Sequence, residues 1–125
     1  MTTAPVVLVV EDEFLVRDMI VHELVLAGFE VLEAGSAEDA LDLLTKRERI
    51  DLLFTDIRLP GKSGWQLAED VRIRHSTIPI IYASGYSDLK RLLSHSRFLQ
   101  KPYRPSQVLQ AAADLGIKPP PAPAN

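Results

Sequence analysis

Val6 to Val10 is a short run without a polar residue, mostly β-branched, which is the pattern of a strand buried on both faces of a sheet. Beyond it, Val16, Ile20, Leu24 and Ala27 recur at intervals of four, four and three, so they share one helical face, and Gly28 stands where that helix would stop. Glu30 to Ala34 is short and extended in character. Ser36 can then cap a helix that turns Ala37, Ala40, Leu41 and Leu44 inward. Leu52 to Thr55 predicts a third strand ending at Asp56, and Ser63 and Gln66 have the spacing of a capping box ahead of Leu67 and Val71. Ile78 to Ala83 is a fourth apolar strand that runs into Ser84-Gly85. Phe98 to Gln100 is a brief fifth, followed by Lys101-Pro102, and Pro105 opens a last helix through Val108, Leu109, Ala112 and Leu115.

This alternation of strand and helix predicts an α/β fold, a doubly wound five-stranded parallel sheet with helices on both faces. The connection between the last two strands is the weak place in the pattern. Only residues 84 to 97 serve it, close to the dozen or so residues that a parallel crossover needs, so the fourth helix must be short or irregular. Leu89, Leu92 and Leu93 allow about two turns there. Residues 1–5 read as an N-terminal extension, 6–116 as one domain, and 117–125 as a Pro/Ala-rich flexible tail.

Composition narrows the chemistry. The 125 residues are 46% hydrophobic, enough for a single core. A formal net charge of −3 gives no broad attraction to nucleic acid or an anionic membrane, and neither is expected as a direct partner. The absence of cysteine removes disulfides, thiolate metal sites and thiol nucleophiles, which leaves oxygen and nitrogen groups. With no apolar run of bilayer length and no signal-like start, a soluble cytoplasmic protein is expected.

In an open parallel sheet, ligands bind outside the carboxyl ends of the strands. Those ends supply Glu11 and Asp12, Asp56, Ser84 and Lys101, expected to converge on one cleft. Singly, each has an ordinary reading: helix-start acids, a turn completed by Pro60 and Gly61, a tight Ser-Gly turn, a solvated lysine. Together they are harder to dismiss, because three adjacent carboxylates repel one another unless a cation shares the site. Magnesium suits such oxygen ligands and commonly bridges carboxylates to phosphate. An aspartate beside it can act as an oxygen nucleophile toward a phosphoryl group, with the lysine and serine holding the remaining oxygens. No glycine-rich phosphate loop accompanies these residues, and His22, His75 and His95 lie away from the strand ends, as surface or packing residues.

Four motifs in order carry a family resemblance. The Val-Leu-Val-Val-Glu-Asp-Glu stretch at 7–13, the loop from Asp56 to Gly64, the Ala83-Ser84-Gly85 turn and Lys101-Pro102-Tyr103 resemble those of the receiver domain of two-component response regulators, over Val6 to about Leu115. The resemblance implies the flavodoxin-like strand order 2-1-3-4-5. It also implies a magnesium ion held by Asp12, Asp56 and the backbone carbonyl of Arg58, with Glu11 acting directly or through water. Asp56 would be phosphorylated, Ser84 and Lys101 would contact the phosphoryl group, and Phe98 would take the aromatic switch position or serve only in core packing. The expected donor is a phosphohistidine on a sensor histidine kinase or a histidine phosphotransfer protein. An unnamed downstream protein would read the change, and a homodimer formed on phosphorylation is left open.

Two departures from the family stand out. The interval from Ser84 to Lys101 is a few residues shorter than usual, and Tyr86 follows the Ser-Gly turn, similar to a proteobacterial subgroup found alone or fused to histidine kinases. The resemblance places Arg58 and Tyr86 beside the path of water to the phosphoryl bond, where they would lengthen its lifetime unless both side chains face solvent or a partner. The rival readings are a receiver-like module that is not phosphorylated, a cofactor-binding flavodoxin-like domain, and a magnesium-dependent aspartyl-phosphate hydrolase. The last would carry a second aspartate two positions after the nucleophile, where this chain has Arg58. The expectation is therefore a phospho-accepting signalling domain and not an enzyme.

Overall fold

The computed structural model describes residues 3–47 and 49–121. Five strands alternate with four helices: β1 (Val6–Val10), α1 (Phe14–Leu26), β2 (Glu30–Ala34), α2 (Ala37–Lys46), β3 (Leu52–Asp56), α3 (Gly64–Arg74), β4 (Ile80–Ser84), β5 (Ser96–Gln100) and α4 (Pro105–Asp114). All neighbouring strands pair in parallel in the order β2-β1-β3-β4-β5, the expected doubly wound arrangement. The three central strands are buried along their whole length, which is why they read as apolar runs up to the polar carboxyl ends of β3 and β4. β4 and β5 begin at Ile80 and Ser96, so Ile78 and Pro79 lead into the strand and Ser96 and Arg97 lengthen the fifth.

Alternate residues of each strand serve opposite faces. Val6, Leu8, Val10, Leu53, Ile80 and Tyr82 pack with Ala37, Ala40 and Leu44 of α2 and Leu67, Ala68 and Val71 of α3. On the other face, Val7, Val9, Leu52, Phe54, Ile81 and Ala83 meet Ile20 and Leu24 of α1 and Val108, Ala111 and Ala112 of α4. Ser36 caps α2 by accepting the Asp39 N–H at 3.0 Å, and Ser63 with Gln66 closes the predicted capping box of α3. Ile117, the first residue of the expected tail, packs against the second core; residues 122–125 lie outside the described part.

The crossover from β4 to β5 realises the irregular extreme of its expectation, because residues 85 to 95 form no helix. Geometry gives the reason. Wound as a helix, this segment would advance only about 16 Å at 1.5 Å per residue. That is no more than the roughly 17 Å of a five-residue strand, with nothing left for the turns at either end. An irregular chain of bends and one turn makes the return instead. Leu92 and Leu93 pack against the first core, and the Leu93 N–H donates to the Tyr82 hydroxyl at 3.2 Å. Arg72 of α3 ties down the segment's end by donating to the carbonyls of Ile78 (2.8 Å) and Ser94 (2.6 Å).

Candidate functional site

β1 and β3 are adjacent, and their carboxyl ends deliver Glu11 and Asp12 beside Asp56. One oxygen from each of the three carboxylates lies within 4.8 Å of the others. Glu11 is only 1% exposed and Asp56 only 5%, whereas Asp12 reaches the surface. Lys101, at the end of β5, donates from Nζ to Glu11 Oε1 at 2.8 Å and to Asp56 Oδ2 at 3.0 Å. The Lys101 N–H donates to the Ser84 carbonyl at 2.8 Å, which fixes the lysine's backbone to the end of β4. Around Glu11, the Glu13 N–H donates to Oε2 at 3.2 Å, and Arg17 donates to the backbone carbonyl at 2.8 Å.

One ammonium does not neutralise three carboxylates. Burial raises the Glu11 carboxyl to about 7, with the Lys101 bond pulling down and the Asp56 charge pushing up. Asp56 is likewise raised, chiefly by burial, against the opposing Lys101 bond. Burial alone would lower Lys101, but its bonds to the two carboxylates prevail and leave it raised. These are the properties of a cluster with more negative charge than its protein partners can hold, and its hard oxygen donors fit a small divalent cation.

Gly64 shows how closely α3 approaches this cluster. A Cβ there would sit 2.2 Å from the Asp56 carbonyl oxygen and 2.8 Å from the Ile57 Cα, so only glycine lets the helix start against the backbone of the acidic residue. Tyr103, two residues after Lys101, buries its hydroxyl without a hydrogen-bond partner among the described residues and sets its ring edge-on to Phe54 at 6.0 Å. Burial, then the charges of Glu11 and Asp56, push that hydroxyl well above the usual tyrosine range.

The sequence-predicted residues do not all meet. Glu11, Asp12, Asp56 and Lys101 form one cluster, whereas the Ser84 hydroxyl donates to Asp88 Oδ2 at 2.7 Å. Arg58 pairs with the same Asp88 through Nε (3.0 Å) and Nη2 (2.8 Å) and lies over the rings of Tyr86, at 4.8 Å, and Trp65, at 5.8 Å. Arg91 covers Trp65 as well, at 5.2 Å. Phe98, in register with Tyr82, is half-buried against the first core. Asp88 is absent from the sequence reading, since nothing in its neighbourhood separates it from an ordinary loop carboxylate. Its four-residue spacing from Ser84 was the only available signal.

Beside the cluster, Glu13, Val16, Met19, Lys101, Pro102 and Tyr103 line a cavity of about 320 Å³. Met19 of α1, which lines it, is exposed, as are Phe14 and Leu15 in the first turn of the same helix. Among the described residues, no helix is long and apolar enough to cross a membrane.

Residues 7–113 match the family described as response regulator receiver domain. A curated relative, the transcriptional regulatory protein AruR of Pseudomonas aeruginosa, is 33% identical over 124 residues, covering 92% of this chain and 50% of its own length. The chain spans half or less of the length of the curated relatives it matches. Among solved structures, a response regulator receiver protein from Sinorhizobium medicae superposes with a TM-score of 0.84 at 31% identity, covering 90% of this chain and 94% of that one. The response regulator TrrA of Thermotoga maritima, solved in complex with Mg²⁺ and BeF, gives a TM-score of 0.78 at 28% identity, covering 89% of this chain and 98% of its own.

Proposed function

The chain belongs to the response regulator receiver domain family, and from that membership we propose that Asp56 is the residue through which it accepts a phosphoryl group. The observation that carries the reading is the Asp56 carboxylate itself. It ends a buried central strand, 3.0 Å from Lys101 Nζ, with oxygens of Glu11 and Asp12 alongside. An Asp56 oxygen attacks the phosphorus of a phosphohistidine, the O–P bond forms as the N–P bond breaks, and the imidazole leaves with the electron pair. Lys101 then holds a phosphoryl oxygen, and the Ser84 hydroxyl takes another.

Magnesium is the cation we assign to the cluster, held by Asp12, Asp56 and the Arg58 carbonyl with Glu11 direct or through water. When bound, it neutralises charge on the transferring oxygens. The Mg²⁺-BeF complex of TrrA supports that choice. The phosphoryl donor is a sensor histidine kinase or histidine phosphotransfer protein in the cytoplasm, and the exposed Phe14, Leu15 and Met19 beside the site suit a helical partner. The output is a changed protein contact, with Phe98 as the aromatic that moves, read by a downstream protein or a second copy of the chain. Arg58, two positions after Asp56, leaves no acid and base for an aspartyl-phosphate hydrolase, so we read a signalling domain and not an enzyme. The Tyr86 ring against Arg58 supports slow phosphoryl loss, and replacing both with alanine should shorten the half-life several-fold after donor removal.

Intact mass after incubation with a small acyl phosphate tests the assignment. The wild type should gain one phosphoryl group only with magnesium, and Asp56→Asn should gain none; a gain that persists in Asp56→Asn under native conditions rules the assignment out.

A further inference from the structure

Asp88 lies in the irregular segment between β4 and β5, yet it is only 8% exposed. Both of its oxygens are occupied. Oδ2 accepts the Ser84 hydroxyl at 2.7 Å and Arg58 Nε at 3.0 Å, and Oδ1 accepts Arg58 Nη2 at 2.8 Å. The hydrogen bonds from Arg58 hold the Asp88 carboxyl below its ordinary range, so it is ionised and can only accept. Ser84 Oγ is fixed from the other side by the Tyr86 N–H at 3.1 Å. A serine hydroxyl has one proton, so while it goes to Asp88 it can go nowhere else. The sheet register aligns Asp56 with Ala83, which makes Ser84 the next residue at the same edge as Asp56.

We propose that Asp88, anchored by Arg58, is a positioning residue that retains the Ser84 hydroxyl in the unmodified domain, so that a phosphoryl group on Asp56 must take this hydroxyl from Asp88 to complete its site. The proposal rests on the reading of Asp56 as the phosphoacceptor. Two anions then compete for one donor, and neither bond can be made without loss of the other. The Arg58 fork remains on Asp88 throughout, because its bonds do not involve Ser84. The segment from 85 to 95 therefore stays tethered at Asp88 while Ser84 turns, and the Asp88 bond sets a threshold that the phosphoryl group has to exceed.

The test compares the full wild-type chain with Asp88→Ala, Asp88→Asn, Ser84→Ala and the Ser84→Ala/Asp88→Ala double variant. Each is titrated calorimetrically with beryllium fluoride in saturating magnesium, and the initial rate of mass gain from a small acyl phosphate is measured in parallel. Asp88→Ala should bind beryllium fluoride about tenfold tighter, on the order of one charge-assisted hydrogen bond less the water that replaces it. Asp88→Asn keeps the shape of the residue and accepts the hydroxyl without charge, so it should fall between the two and answers the question if the alanine variant does not fold. On the Ser84→Ala background, the Asp88 substitution should have no further effect. Unchanged or weaker binding in the folded Asp88 variants, or an equal gain without the Ser84 hydroxyl, overturns the proposal. A wild type that takes neither beryllium fluoride nor a phosphoryl group overturns the phosphoacceptor reading and this proposal together. A responsive wild type with unresponsive Asp88 variants overturns the role of Asp88 alone.

Discussion

The Glu11 carboxyl illustrates how much one residue's surroundings decide. Raised by burial from 4.5 to about 7, it favours the folded, metal-free domain fully below pH 4.5, and that contribution is lost as the pH rises through about 7. A cation reverses the preference, because it stabilises the carboxylate. The increase in melting temperature on adding magnesium should therefore be small at about pH 5.5 and grow up to about pH 7.5, with Glu11→Gln flattening the trend. A magnesium shift independent of pH would contradict the cation site. Gly64 makes a second single-residue prediction. Gly64→Ala would drive a Cβ into the Asp56–Ile57 backbone, which cannot swing away as a side chain does. Alanine's better helix propensity favours the variant by at most about 1 kcal/mol. Overpacking of this kind costs about 1–3 kcal/mol. A net loss in urea unfolding is expected, together with slower mass gain from the acyl phosphate, because the clash is with the Asp56 backbone; a variant as stable as the wild type would show that the helix can shift freely.

Elements were readable wherever one residue pattern sufficed to bury a surface. β1 is apolar throughout, and β3 and β4 are apolar up to their polar carboxyl ends, because helices cover both their faces, and Ser36 and Ser63 announce their helices because a cap is a local bond. The crossover was legible only as too short. Its leucines mimic a helical face, while its actual course depends on Arg72, a residue of another element, and on the hydroxyl of Tyr82. Such bonds are long-range in sequence and leave no periodic trace. They also make the segment testable: in Arg72→Met, amides of residues 85 to 95 should exchange faster than in the wild type, while those of β1 and β3 keep their protection. Equal exchange in the two proteins would show that Arg72 does not restrain the crossover.

At the scale of the whole molecule, the sheet gathers distant parts of the chain at one edge, and this is why the acidic cluster could be read from strand ends alone. Glu11, Asp12, Asp56 and Lys101 follow directly from where strands stop. Asp88 does not, since it ends no strand and caps no helix; its importance comes from Arg58, which approaches it across the loops, and from the one proton of Ser84. The sheet's outer strands carry Glu30, Glu33 and Arg97, charges that discourage pairing with another edge. A further property of the whole chain follows from Trp65, flanked by Arg58 and Arg91. It is the only tryptophan, so red-edge-excited fluorescence of the entire protein comes from a single indole whose colour responds to the electric field of two nearby guanidinium groups. The domain thus contains an unlabelled optical reporter of where Arg58 lies. Because the fork stays on Asp88, the emission maximum should hold steady on phosphoryl transfer and shift in Asp88→Ala, which frees the guanidinium.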